Sequence, residues 1–216
     1  ARYGRKPFEA KLTSVDLVGF VNWTMLTGMS DFWEAILREI CPSLNGKRRM
    51  MFFDLADPEK RNPEDIRRAL QLIGRFEKYF DVILGLNEKE ACEIGHVLSL
   101  KSNDRSPDGL SKLAAQIHQQ LGIKTLVLHP VSYALAVTAG TVSLVDGPFT
   151  PQPLITTGAG DHFNSGFCLG KLLGLDDNLS LSAGVATSGH YVRTGRSPAI
   201  ADVAKLLINW PSSTSH

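Results

Sequence analysis

The sequence has almost no net charge: its 216 residues include 23 lysines and arginines against 22 aspartates and glutamates. So balanced a chain lacks the basic excess that neutralises a phosphodiester backbone, and no nucleic-acid partner is expected. It also lacks a long apolar run. No stretch approaches the roughly 18 apolar residues of a spanning helix, and the opening ARYGRKPFEA is not a secretory signal, so a cytoplasmic protein without membrane contact is the expectation. Cysteine is scarce. Cys41, Cys92 and Cys168 are odd in number, widely spaced and set in apolar surroundings, which predicts reduced core thiols rather than a disulfide or metal framework. No internal repeat or low-complexity tract is present, and the composition describes one soluble globular domain.

What the chain does contain is an alternation of β-rich runs and amphipathic stretches. A polar lead-in precedes a strand-like run from Val15 to Trp23. Ser30 or Asp31 can cap a helix through Ile40 with Phe32, Ala35, Ile36 and Ile40 on one face. A strand over Arg49 to Leu55 follows, then Asn62-Pro63-Glu64-Asp65, which starts a helix over 64–79 with proline at its first position. A strand at Asp81 to Leu86 leads into a helix carrying Ala91, Ile94, Gly95 and Leu98. Asp108 to Leu121 reads as a helix stopped by Gly122, and Lys124 to His129 as a strand.

Such alternation implies right-handed crossovers and a parallel sheet covered on both faces: an α/β, three-layer Rossmann-like fold. Ligands in such sheets bind at the carboxyl ends of the strands, where Asn87 and His129 fall. Between Ala134 and Val145 the pattern changes to two β-rich runs, YALAVT and TVSLV, around Ala139-Gly140; this predicts a hairpin and an antiparallel edge. Ser180 to Val192 and Ile200 to Ile208 read as closing helices, and residues 211–216, PSSTSH, as a flexible tail after a domain over 1–210.

The stretch TTGAGDHFNSGFCLGKLLG, Thr156 to Gly174, carries the chemistry. A glycine-rich turn runs into an apolar helix with Gly166 and Gly170 one turn apart, and Gly174 fits the position that ends it. The amides of Gly158, Ala159, Gly160 and Asp161 fall in the first turn, where N–H groups lack helical partners and the macrodipole favours an anion. Asp161 places a carboxylate beside that cradle, an arrangement suited to group transfer. It also serves equally well as a plain helix cap. Asn87 and Glu90, a helical turn apart, offer an amide and a carboxylate for the hydrated shell of Mg²⁺; they also match a capping box, and both readings hold together.

The GAGD turn followed by an apolar helix, together with Asn87-Glu88-Lys89-Glu90 after an apolar run, resembles the two motifs of the ribokinase (PfkB) family of carbohydrate and nucleoside kinases. The resemblance implies a ribokinase-like nucleotide-binding kinase domain and phosphoryl transfer from ATP to an alcohol. In it Asp161 is the base, Thr157, Gly158, Ala159 and Gly160 form the anion hole, Asn87 and His129 lie at the ATP site, and Asn87 and Glu90 serve Mg²⁺. Asp54, Asp57, Lys60 and Arg61 resemble the family's D-x-x-x-R-like loop near the cleft, but the better-supported reading of charged residues between a strand and a helix is a solvated loop.

The acceptor implied is a small sugar or nucleoside, and a homodimer is compatible. The sequence opens without Met, and the resemblance covers roughly the C-terminal two-thirds of the family pattern, so the first strands and the lid are expected to be absent from it. Three positions depart from the pattern. Ile155 replaces the first Asp of D-T-x-G-A-G-D, His129-Pro130-Val131-Ser132-Tyr133 replaces a G-x-x-G-like turn, and Gly184 falls where Asn or His often meets the base. Two other classes are compatible with a glycine turn: a non-catalytic nucleotide-binding or regulatory domain, and a dinucleotide oxidoreductase. The second is disfavoured, because GAGD lacks the G-x-G-x-x-G spacing and follows a hairpin instead of opening the chain.

Overall fold

The computed structural model describes residues 4–100 and 104–210. The expected flexible tail, 211–216, lies outside the described residues. Six strands form one sheet in chain order, β1 to β6. By packing, the chain divides into two units, Ala1–Leu126 and Val127–His216, and the division falls inside β4.

The first unit runs α1 (Arg5–Thr13), β1 (Leu17–Phe20), α2 (Met29–Glu39), β2 (Arg49–Asp54), α3 (Pro63–Phe76), β3 (Phe80–Leu86), α4 (Glu88–Val97), α5 (Pro107–Leu121) and the start of β4 (Thr125–Leu128). β1, β2 and β3 pair in parallel, with Leu17 opposite Met50 and Met51 opposite Val82. Met51 to Phe53 and Val82 to Leu86 are continuously buried, as parallel strands covered on both faces require.

Sequence-local chemistry sets most helix ends here. The Asn62 side chain accepts the N–H of Asp65 at 2.8 Å ahead of Pro63, and the Ser106 hydroxyl accepts the N–H of Gly109 at 3.1 Å ahead of Pro107. Gly122, at φ 62°, ends α5. Trp33 meets Phe53 edge-on at 5.0 Å, and Phe53 meets Phe76 at 5.5 Å. Each such pair adds about 0.5–1.5 kcal/mol to the burial of its rings.

The second unit holds the rest of β4, the hairpin β5 (Tyr133–Thr138) and β6 (Thr141–Asp146), then α6 (Ala159–Leu172), α7 (Asp177–Thr194) and α8 (Ile200–Ile208). β5 and β6 are antiparallel. Their turn places Ala139 and Gly140 at φ 51° and 79°, the two positive values of a type I′ turn, whose twist matches that of the strands. α6 and α7 pack through small residues. A Cβ on Gly166 would lie 2.4 Å from Thr187 Oγ1, and one on Gly170 2.8 Å from Ser180 Cα. Gly174 closes α6 as expected: its N–H bonds Lys171 O at 3.1 Å and that of Leu175 bonds Gly170 O at 3.0 Å.

Several sequence-based boundaries are corrected. The polar lead-in is the helix α1. The expected strand Val15 to Trp23 stops at Phe20, and Asn22 turns left-handed at φ 63° before a 3₁₀ turn over Trp23–Met25. Ser30 does not cap α2, which starts at Met29; its hydroxyl accepts the indole N–H of Trp23 at 2.9 Å instead. α3 ends at Phe76 rather than 79, and α7 starts at Asp177 because Asp176 caps it, accepting the N–H of Leu179 at 2.8 Å.

Candidate active site

The GAGD turn is held by α7. Val192 O accepts the N–H of Leu154 at 2.8 Å. The Arg193 guanidinium donates to the carbonyls of Pro148 and Phe149, and the Tyr191 hydroxyl donates to Thr157 O at 3.0 Å. One turn of helix thus fixes the loop that delivers the chain to Gly158. Burial of the Arg193 guanidinium lowers its pKa.

Gly158 is the N-cap of α6 at φ 87°, ψ 0°, a left-handed conformation that glycine adopts without a Cβ penalty. The N–H of Ala159 bonds back to Thr156 O at 3.0 Å, and that of His162 bonds to Gly158 O at 3.1 Å. The Ala159 amide is therefore occupied in the turn, which trims the expected four-amide cradle. Among the described residues, the amides of Gly158, Gly160 and Asp161 have no carbonyl partner. Three such N–H groups at the positive end of a helix are an anion site by their electrostatics.

The Asp161 side chain is exposed. Its carboxylate receives no hydrogen bond from the described residues, and its main-chain O accepts the Ser165 hydroxyl at 2.7 Å. Thr157 is exposed beside it.

His129, just after β4, packs on the same turn. Its Cε1 lies 3.1 Å from where a Gly160 Cβ would stand, and its ring centroid is 5.0 Å from that of Phe163. The lack of a side chain at Gly160 is what admits the imidazole. Burial pushes the His129 pKa down to about 4, so the ring is neutral near pH 7. Gly184 is packed against Phe163, 2.7 Å from a notional Cβ, so the phenyl ring occupies the space a longer side chain there would need. His190 lies on α7, where its carbonyl accepts the Thr194 hydroxyl at 2.9 Å.

The first unit places Asn87 at the carboxyl end of β3 as the N-cap of α4. Asn87 Oδ1 accepts the N–H of Glu90 at 2.9 Å, and Glu90 Oε2 accepts the N–H of Asn87 at 2.8 Å, a complete capping box. Glu90 is buried, and its other oxygen accepts the N–H of Asp57 at 2.9 Å. Burial is the main cause that raises its pKa.

Asp57 belongs to the loop after β2. Asp54 Oδ1 accepts the N–H of Ala56 at 2.9 Å, Lys60 pairs with Asp57 at 2.9 Å, and the Arg61 guanidinium lies 4.7 Å from the centre of the Trp23 ring while bonding Asp65. The charged loop is thus internally paired rather than merely solvated. Sequence reasoning did not find His162, Tyr191 and Arg193, which act on the turn through contacts across α6 and α7. Among the described residues, no group of three or more His, Cys, Asp or Glu could hold a metal ion, and no helix is long and apolar enough to cross a membrane.

A model of the prokaryotic ketohexokinase family matches residues 2–210. The chain is 28% identical over 198 residues to a ketohexokinase of Haloferax volcanii, covering 92% of this chain and 52% of that protein, so it spans about half the length of this relative. Among solved structures it is similar to a ribokinase of Thermotoga maritima, with a TM-score of 0.65 and 21% identity over 93% of this chain and 59% of that one. A ribokinase of Cryptococcus neoformans, solved with ADP, gives a TM-score of 0.65 and 17% identity over 92% and 60%. These two likenesses show that the ribokinase-like fold expected from the GAGD and N-x-x-E motifs is present. Because the family model spans nearly every described residue, the turn and both helices that hold it included, the chain belongs to the prokaryotic ketohexokinase family.

Proposed function

We propose that this chain carries the phosphoryl-transfer machinery of a sugar kinase that moves the γ-phosphoryl group of ATP to a hydroxyl of a ketohexose. The observation that carries the reading is the start of α6, where the unpartnered amides of Gly160 and Asp161 lie beside an exposed carboxylate. As the acceptor oxygen bonds to the γ-phosphorus and the bond to the bridging oxygen of ADP breaks, negative charge spreads over the equatorial oxygens. Amides held in place at a helix N-terminus stabilise that charge without reorganising. Asp161 accepts the proton of the attacking hydroxyl. Thr157 and the neutral His129 border the turn and would flank the nucleotide phosphates.

Mg²⁺ takes oxygen donors and keeps several waters. Asn87 and Glu90 supply oxygens of that kind, and a carboxylate oxygen that accepts one amide retains a lone pair. These two residues would hold the hydrated ion, which would supply positive charge for neutralising phosphate.

The assignment of ketohexose rests on the family, and that of ATP on the relatives: the Haloferax protein is named a ketohexokinase, and the Cryptococcus ribokinase was solved with ADP. The test is ADP release by the full-length protein with fructose, ribose and adenosine as acceptors. Fructose-dependent release that requires Mg²⁺ is expected. ATP binding without turnover on any acceptor would leave a nucleotide-binding domain and overturn the kinase reading.

A further inference from the structure

We propose that His162 and Tyr191 are a positioning pair that keeps the anion-binding amides of the GAGD turn open. The proposal rests on the phosphoryl-transfer reading of that turn. The two rings are stacked, with centroids 3.7 Å apart and planes at 12°. His162 Nδ1 lies 2.7 Å from Gly158 O, and Nε2 lies 2.9 Å from Ser197 Oγ. A carbonyl only accepts, so Nδ1 carries the proton, and in the neutral ring Nε2 accepts from the Ser197 hydroxyl. On the other ring, the Tyr191 hydroxyl donates to Thr157 O at 3.0 Å.

Thr156 O and Thr157 O decide which amides stay free, and Tyr191 holds the second of them. In an uninterrupted helix the Asp161 N–H would bond to Thr157 O, and the Gly160 N–H to Thr156 O. Here Thr156 O accepts from Ala159 at 3.0 Å and Thr157 O from Tyr191, so neither is given to the amides four residues on. A trans peptide unit points its N–H opposite its C=O. Fixing the Thr157 carbonyl on Tyr191 therefore fixes the direction of the Gly158 amide, and fixing the Gly158 carbonyl on His162 orients the next peptide. The stack ties the two anchors into one unit: a ring displaced from α7 would disturb both carbonyls. Neither side chain touches the reacting atoms; each acts through the backbone of the turn.

The test compares the full-length wild type with Tyr191→Phe, which keeps the ring on His162 and deletes only the hydroxyl, and with His162→Phe, which keeps the stack and deletes both ring hydrogen bonds. Two readouts are taken: kcat and KM for ATP-dependent fructose phosphorylation, and the affinity for inorganic phosphate read from the amide NMR signals of Gly160 and Asp161. The expected result is a kcat lower by about ten- to a hundredfold in each variant, with KM for fructose and Tm little changed, and phosphate binding weakened at least about fivefold. A purely structural pair would lower Tm and leave kcat per folded molecule and phosphate affinity as they were, which overturns the proposal. A wild type that does not bind phosphate at these amides also overturns it. A wild type with no turnover whose phosphate binding still depends on Tyr191 overturns the kinase reading instead and leaves the pair as the positioning element of an anion site.

Discussion

Glu90 accepts the backbone N–H of Asp57 at 2.9 Å through one carboxylate oxygen and that of Asn87 at 2.8 Å through the other. The first bond holds a strained corner, since Ala56 and Asp57 both have φ 56° without being glycine, a conformation that costs on the order of 1–3 kcal/mol per residue. Glu90→Gln presents an NH₂ group to one of those amides and is expected to destabilise the protein by about 1–3 kcal/mol in urea unfolding. The raised pKa of Glu90 adds a pH signature. The folded state holds this proton more tightly than the unfolded chain, so the contribution to stability is complete below the ordinary glutamate value of about 4.3 and is lost as pH rises through the raised value. That decline should disappear in Glu90→Gln; an identical pH profile for the two proteins would remove Glu90 as its source.

His129 gives the opposite dependence. Burial takes its pKa to about 4, while the unfolded chain titrates near 6.5. Between those values the unfolded state binds more protons, so stability is present above about pH 6.5 and lost as pH falls towards 4. The midpoint of urea unfolding should drop between pH 7 and 5, and His129→Gln should reduce that drop. An NMR titration of the ring with a midpoint near 6.5 would contradict the burial on which the argument depends.

The contact between α6 and α7 sets the distance across which Tyr191 reaches the turn. Gly166 allows it, because a Cβ there would lie 2.4 Å from Thr187 Oγ1 and 2.6 Å from Ala183 O, and the second atom is backbone that cannot rotate away. Gly166→Ala is expected to cost about 1–3 kcal/mol by overpacking and to weaken ATP binding with it. Unchanged Tm and ATP affinity would show that the helices separate without consequence.

The features that were legible in the sequence are those written locally. Val82 to Leu86 reads as a buried strand because every residue in it is apolar or glycine, Asn62-Pro63 and Asn87 announce helix starts with their own side chains, and Ala139-Gly140 marks the hairpin. The GAGD turn and the capping box were found in the same way. α1 went unread because Leu12 is its one buried residue and Gly4 brings no capping side chain, so it has no amphipathic signal. The run Val15 to Trp23 overreads as strand because its apolar content hides the left-handed Asn22. Ser30 looks like a cap and is instead held by Trp23. In the site, Tyr191 and His162 were invisible for a related reason: their roles are contacts made across two packed helices, and no spacing in the chain encodes them.

The central claim is that Asp161 and the amides at the start of α6 perform phosphoryl transfer. The most direct measurement is steady-state kinetics of Asp161→Asn in the full-length protein, with ATP affinity measured by calorimetry on the same sample. The change removes the proton acceptor and keeps the size of the side chain, so kcat should fall by about 10²- to 10⁴-fold while ATP binding is largely retained. Turnover close to that of the wild type would remove Asp161 from the mechanism and contradict the account.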